Sequence, residues 1–330
     1  MTGKRKMSRM VKLLIALVVV ALALFGVWRW AVATGSAATL DWVDARFSRH
    51  HDVVLAQSAQ YGSDPAQRVE LWVPKGQDFA EPAPPPGTPV QPLRYPLMVF
   101  FHGGGWHSGA PEDYRFIARA MADMGYATAL VGYRLVPDGR YPAMLEDSAA
   151  GIKWVRDNAG KHGARTDRIA LMGHSAGAYN VLMMGLDPQW LAAAGVPQDA
   201  ISGVVSLSGP ADFYPFDKPS SQNAFGHTDT PEATQPITYA RGDAPPLLMI
   251  HGTGDTVVRP YNSQNLEAAV RNAGGSVTLH EIDDASHAWT VMAFARPFDR
   301  DPAVKDWVQA FLRQTDQAPA SAPVQREAAQ

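Results

Sequence analysis

Gly173-His174-Ser175-Ala176-Gly177, set directly behind the apolar run Arg168-Ile169-Ala170-Leu171-Met172, is the segment that most narrows what this chain can fold into. A Ser flanked by small residues, between a buried strand and a helix, can occupy a sharp turn that lifts its hydroxyl above a sheet edge. Acyl transfer needs its nucleophile presented in that way. With Gly at about 7% of residues, the pentapeptide arises by chance in roughly one chain in ten of this length, so its context decides.

The context is an alternation of strands and helices. Apolar runs predict strands at Val69-Val73, Leu97-His102, Ala127-Val131, Arg168-Met172, Gly203-Leu207, Pro246-His251 and Val277-Ile282, most of them continuously apolar, as strands covered on both faces are. Helical spacing predicts helices from Asp113 to Met124 (Phe116, Ile117, Ala120, Met121), from Ala143 to Lys161 (Leu145, Ala149, Ile152, Trp154, Val155), after Ser175, and from Asn262 to Asn272. The fold class expected is therefore α/β, a mostly parallel central sheet flanked by helices with right-handed crossovers. Such sheets bind ligands beyond the carboxyl ends of their strands. Four motifs share that address: His102-Gly103-Gly104-Gly105-Trp106, Ser175, Asp255 and His287.

Each motif supplies one part of a serine mechanism. A hydroxyl attacking a carbonyl needs a base, and imidazole is the side chain that titrates nearest neutral pH. His287 follows the strand ending near Ile282 and is the candidate. An imidazole needs a carboxylate to fix its tautomer, and Asp255 follows a buried strand through the Gly-bearing turn His251-Gly252-Thr253-Gly254. The chain order Ser175, Asp255, His287 suits this reading. Asp283 and Asp284 are rival carboxylates; adjacent to His287 in sequence, they reach its far nitrogen awkwardly and read as turn and surface residues. Three glycines, Gly103 to Gly105, can turn N–H groups toward a developing oxyanion, and the N–H of Ala176 adds a donor. The run is no phosphate loop, since no Gly-Lys-Ser/Thr completes it. Asp147 is expected to cap or brace a helix entry.

The N-terminus carries a membrane signal. Lys4, Arg5, Lys6, Arg9 and Lys12 precede an uncharged apolar run from Leu13 to Trp28. Residues 1–12 read as a cationic cytoplasmic region and 13–33 as a transmembrane signal-anchor or a signal peptide. Ala31, Ala33 and Ala37 offer a cleavage site, whereas Trp28-Arg29-Trp30 suits a membrane–water interface and favours the anchor. The expected location is the inner membrane, single pass with the body outside the cytoplasm, or the periplasm or exterior if the signal is cleaved. The body spans 40–315, with a Pro-rich insertion at 75–95, a cap-like excursion at 209–244 and a disordered tail at 316–330. The chain has no Cys, which excludes disulfides, thiolate metal sites and a lipidated Cys, and its net charge of -3 without a basic cluster beyond the N-terminus argues against nucleic acid.

Together, His102-Gly103-Gly104-Gly105-Trp106, the helix from Leu145-Glu146-Asp147 to Trp154-Val155, Gly173-His174-Ser175-Ala176-Gly177, Pro245 through Asp255, and Ser286-His287 resemble the α/β-hydrolase fold, close to the esterase/lipase and kynurenine-formamidase-like serine hydrolases. The likeness covers about 60 to 312. It implies Ser175 as nucleophile, His287 as base and acid, Asp255 as its orienter, and an oxyanion hole from Gly104, Gly105 and Ala176. It also implies a substrate pocket including His102, Gly103, Trp106 and His174, no cofactor and no metal. The membrane segment and the Pro-rich insertion are not features the family requires. The partner expected is a small to medium ester, split through an acyl-enzyme. Two alternatives stay open: an amidase, formamidase or small-peptide hydrolase on the same residues, and an inactive membrane-tethered binding module.

Overall fold

The computed structural model describes residues 9–33, 36–47, 53–75 and 95–317. Most of the Pro-rich insertion, nearly all of the tail, and Lys4, Arg5 and Lys6 lie outside them. The elements are α1 (Arg9–Ala33), α2 (Ala37–Phe47), β1 (Val53–Gln60), β2 (Arg68–Pro74), β3 (Tyr95–Phe101), α3 (Arg115–Asp123), β4 (Ala127–Val131), α4 (Ala143–Asn158), β5 (Ala164–His174), α5 (Ala176–Leu186), α6 (Pro188–Ala193), β6 (Ile201–Leu207), α7 (Pro219–Phe225), β7 (Leu247–Gly252), α8 (Tyr261–Asn272), β8 (Val277–Ile282), α9 (Trp289–Met292) and α10 (Ala303–Gln317).

Eight strands form one sheet in the order β1-β2-β4-β3-β5-β6-β7-β8. The first two pairings along that order, β1 with β2 and β2 with β4, are antiparallel; the remaining five are parallel. Successive side chains of a strand point to opposite faces, so each inner strand feeds two cores. Val99, Leu171, Val204 and Met249 join α4, α5 and α8 on one face, through Ile152, Val181 and Leu266. Met98, Phe100, Met172, Val205 and Ile250 join α3 and α10 on the other, through Phe116, Met121, Val304 and Val308. Burying a side chain of that size contributes about 1.5–3 kcal/mol, and the double cover is why these strands read as unbroken apolar runs.

The expected strands are all present, with ends moved by up to four residues. The helix expected to reach Lys161 ends at Asn158 and tightens into a 3₁₀ turn, Ala159–His162, closed by Gly163 in the left-handed region. Six elements carry no expectation from the sequence pattern: α2, β1, α6, α7, α9 and α10. α2 is fastened to the body by Arg119 of α3, which pairs with both Asp41 and Asp44, while Asp44 also accepts the backbone N–H of Arg296. The segment expected to cross a membrane, 13–33, falls within α1; no helix among the described residues is long and apolar enough to cross a membrane.

Candidate active site

Four of the parallel strands, β3, β5, β7 and β8, end at the same edge of the sheet, and the ladder runs on past them. Ser175 donates its N–H to Leu207, Ser208 to Ile250, and Thr253 to Ile282. These continued pairings hold the loops at strand spacing, which brings residues 32 and 112 positions apart within reach of one another.

Ser175 sits between β5 and α5 at φ 55° and ψ -119°, a conformation that costs a non-glycine residue on the order of 1–3 kcal/mol. The motif's glycines permit it. A Cβ on Gly173 would strike the backbone of Gly177 and Ala178, and one on Gly177 would strike the carbonyls of Phe101 and His102. The turn is thus wedged against the next strand end and aims the hydroxyl at His287.

His287 Nε2 lies 2.8 Å from Ser175 Oγ, and His287 Nδ1 lies 2.7 Å from Asp255 Oδ2. Ionised, the carboxylate can only accept, so Nδ1 carries the proton and the bare Nε2 receives the Ser hydroxyl. Asp255 is buried. Its Oδ1 accepts the N–H groups of Val257 and Val258, and its Oδ2 lies 3.3 Å from the Nε2 of a second imidazole, His251. Burial alone would raise the Asp255 pKa, but the hydrogen bonds from His251 and His287 outweigh it and hold the carboxyl well below its ordinary range. Asp283 and Asp284 do not enter this line; Asp284 is exposed and its N–H is taken by Thr253 Oγ1.

Ser175 and His287 face a cavity of about 840 Å³. Gly103, Gly104, Gly105, Trp106 and His174 line it, as the pocket reading expected. His102 does not, which corrects that reading. It is buried behind the loop, stacked on the Tyr133 ring at 4.5 Å, with Nδ1 2.8 Å from the Gly103 carbonyl, and burial lowers its pKa to about 4. A neutral ring that donates there fixes the plane of the Gly103–Gly104 peptide, whose other end is the Gly104 N–H. Gly104 and Gly105 have φ of 122° and 58°, values that glycine adopts without strain. The N–H of Ala176, first in α5, is one of the donors that a helix leaves unsatisfied.

Part of the 209–244 segment borders the cavity. Asn262 Oδ1 accepts the N–H groups of Ala211 and Asp212, and Gln235 Oε1 those of Phe213 and Tyr214, which pins its entry. Phe213 and residues 217–221 line the cavity. Phe225 packs edge-on against Trp106 at 4.8 Å and beside Tyr179 at 5.2 Å, so an aromatic cluster backs the lining residue Trp106. Tyr214, His227 and Tyr239 are not among the lining residues. Val257, Arg259, Tyr261 and Ser36 to Ala38 also line the cavity. The sequence reading missed Tyr114, which also lines the cavity, and the role of His251; each could be sought only through its partners in space.

The model of the BD-FAE family matches residues 88–270, more than half of the 330. The chain belongs to the BD-FAE family. This family member is 28% identical to esterase LipC of Mycobacterium tuberculosis over 268 residues, covering 75% of this chain and 63% of that protein. It is 28% identical to esterase LipQ of the same organism over 233 residues, covering 65% of this chain and 55% of that one. It thus spans less than two thirds of either relative's length. Over 90 residues it is 42% identical to the carboxylesterase NlhH, 27% of this chain and 28% of that one. Among solved structures, esterase B from Lactobacillus rhamnosis superposes with a TM-score of 0.66 at 20% identity, covering 90% of this chain and 96% of that one. A thermophilic esterase from Thermogutta terrifontis gives 0.62 at 22%, covering 78% and 92%. At these identities the superpositions establish the α/β-hydrolase fold.

Proposed function

We propose that this BD-FAE family member hydrolyses carboxylic esters of small to medium size through an acyl-enzyme on Ser175. The observation that carries the reading is the unbroken line Asp255–His287–Ser175, with contacts of 2.7 and 2.8 Å, opening on a cavity of about 840 Å³. That volume suits a ligand of small-molecule size. The esterase names of the relatives support the bond type.

In this mechanism Ser175 Oγ attacks the ester carbonyl as His287 Nε2 takes its proton. The imidazolium that forms is stabilised by the Asp255 carboxylate. Donors from Gly104, Gly105 and Ala176 meet the oxyanion; one such donor is worth about 10²–10³ in rate. His287 then returns the proton to the leaving alkoxide, and a water activated by the same ring releases the acid. Replacing Ser175 with Ala is expected to lower kcat on short p-nitrophenyl esters by at least about 10⁴-fold with an unchanged circular dichroism spectrum. Full activity in S175A would reject the assignment. Wild-type protein should also label with a fluorophosphonate, which an inactive binding module would not do. Matched anilides should turn over far more slowly than the esters; the reverse order would make the enzyme an amidase.

The body is proposed to work outside the cytoplasm, held by the N-terminal segment. Support comes from the cationic residues ahead of the apolar run 13–28 and from the tryptophans that close it. On fractionation the activity should stay with membranes until detergent is added. A soluble periplasmic form shortened near Ala33 would replace the anchor with a cleaved signal.

A further inference from the structure

His174, the residue before the proposed nucleophile, lies at the centre of a chain of contacts that no step above uses. Its Nε2 lies 3.2 Å from the backbone carbonyl of His287. Its Nδ1 lies 3.4 Å from Tyr114 Oη, and that oxygen lies 3.1 Å from the N–H of Gly103. Both side chains are buried, with rings 6.4 Å apart, and the His174 ring lies 5.0 Å from that of His287.

Donor and acceptor counting leaves one arrangement. The His287 carbonyl can only accept, so His174 Nε2 carries a hydrogen. Burial, with the neighbouring His287 adding to it, lowers the His174 pKa to about 3, so the ring is neutral and its Nδ1 is a bare acceptor. Burial also raises the Tyr114 pKa well above its ordinary value, which keeps its hydroxyl protonated. Tyr114 O–H therefore donates to Nδ1, while its oxygen accepts from Gly103. The sequence Gly103 N–H, Tyr114 O–H, His174 Nε2–H, His287 C=O runs in one direction, each group polarising the next. Its two ends are the glycine loop and the loop that carries the base.

We propose that His174 and Tyr114 form a positioning pair that locks the oxyanion loop and the His287 loop into one register, so that the donors and the base are aligned together. His174 acts through the His287 carbonyl and touches no reacting atom. Three facts carry the proposal: the ring's only acceptor toward the base loop is backbone, both partners are buried, and the pair bridges strand ends β3 and β8, which are not adjacent in the sheet.

The inference rests on the serine hydrolase reading, and the experiment separates the two. His174→Phe keeps the ring's bulk and removes both bonds. It should lower kcat by about 10²-fold with KM within about twofold, since mispositioning of about 1 Å costs a rate of that order. Tyr114→Phe should lower kcat by about tenfold. The double variant should fall no further than H174F alone, because the two residues act as one unit. Amide-for-ring replacements then tell the bonds apart: His174→Gln, whose amide reaches the Nε2 position, should recover most of kcat, and His174→Asn, whose amide reaches the Nδ1 position, should not. Inactivation by a fluorophosphonate should slow in parallel with kcat. A merely structural role predicts lowered melting temperatures with kcat preserved in the folded fraction, and that result overturns the proposal. Additive losses in the double variant, or equal recovery by Gln and Asn, overturn the coupling. If S175A keeps full activity, the serine reading itself fails, whatever the His174 variants do.

Discussion

Among the buried carboxylates of this fold, Asp147 and Asp255 are answered by opposite means. Asp147, at 2% exposure, accepts the Arg134 guanidinium at 2.8 and 2.7 Å, the Arg134 N–H at 2.9 Å and the Gln67 amide at 2.7 Å. Asp255, at 4%, accepts two backbone N–H groups and two imidazoles. A guanidinium is a permanent cation, so the Asp147 charge is spent on holding α4 to the strand end beside β4. An imidazole becomes a cation only when it takes a proton. The charge of Asp255 is thus held ready for His287; in the proposed mechanism it serves the reaction, while that of Asp147 fastens the fold.

The sharpest way to break this contrast is to neutralise each carboxylate without changing its shape. Asp255→Asn should leave folding nearly intact and lower kcat by about 10⁴-fold, since an amide no longer enforces the His287 tautomer; a loss below tenfold would mean that Asp255 does not orient the base. Asp147→Asn should do the reverse. With only Glu146 at 3.9 Å left to pair with the partly exposed Arg134, the loss is expected to be about 1–3 kcal/mol in denaturant titrations, with kcat unchanged in the protein that remains folded. Equal damage to kcat from D147N would erase the distinction.

Acid gives a graded version. His102 and His174 have pKa values lowered to about 4 and 3, so they are neutral in the folded chain, whereas the unfolded chain takes up protons below about 6.5. The stability these groups allow is full above that pH and is lost as pH falls from about 6.5 toward 3. Asp255, held below its usual range, adds a loss below about pH 4. Calorimetry at pH 7, 5.5 and 4 should show melting temperatures that fall in that order, by an amount corresponding to a few kcal/mol in total. The smallest effect should come from His251→Gln, which can retain a donor toward Val258 and Asp255; kcat is expected to fall by about tenfold or less. A loss as large as that of D255N would make His251 the main partner of the carboxylate in place of His287.

Much of this site was legible in the chain because chemistry of this kind leaves local marks. Ser175 is announced by the two glycines that its strained turn requires, Asp255 by a Gly-bearing turn after a buried strand, and the donors by three consecutive glycines. The inner strands were legible because cover on both faces leaves no room for polar residues. β1 was not, since as an edge strand it buries Val53 and leaves most of its other side chains at least partly exposed. α10 does carry a helical signal in Val304, Val308 and Leu312, and the reading of the strands simply drew no element there. His102 was misplaced because a sequence shows that a residue follows a strand, and not to which side of the peptide its ring turns. Tyr114, His174 and His251 act through partners 4 to 113 positions away that meet them only through the folded loops.

Ser36, Ala37 and Ala38 are part of the cavity wall, so the start of α2 borders the same space that Ser175 and His287 face. An affinity tag or fluorescent fusion joined just ahead of residue 36 would stand beside that cavity and compete with whatever occupies it. A label joined after Gln317, where α10 closes the far face, would leave the entrance clear.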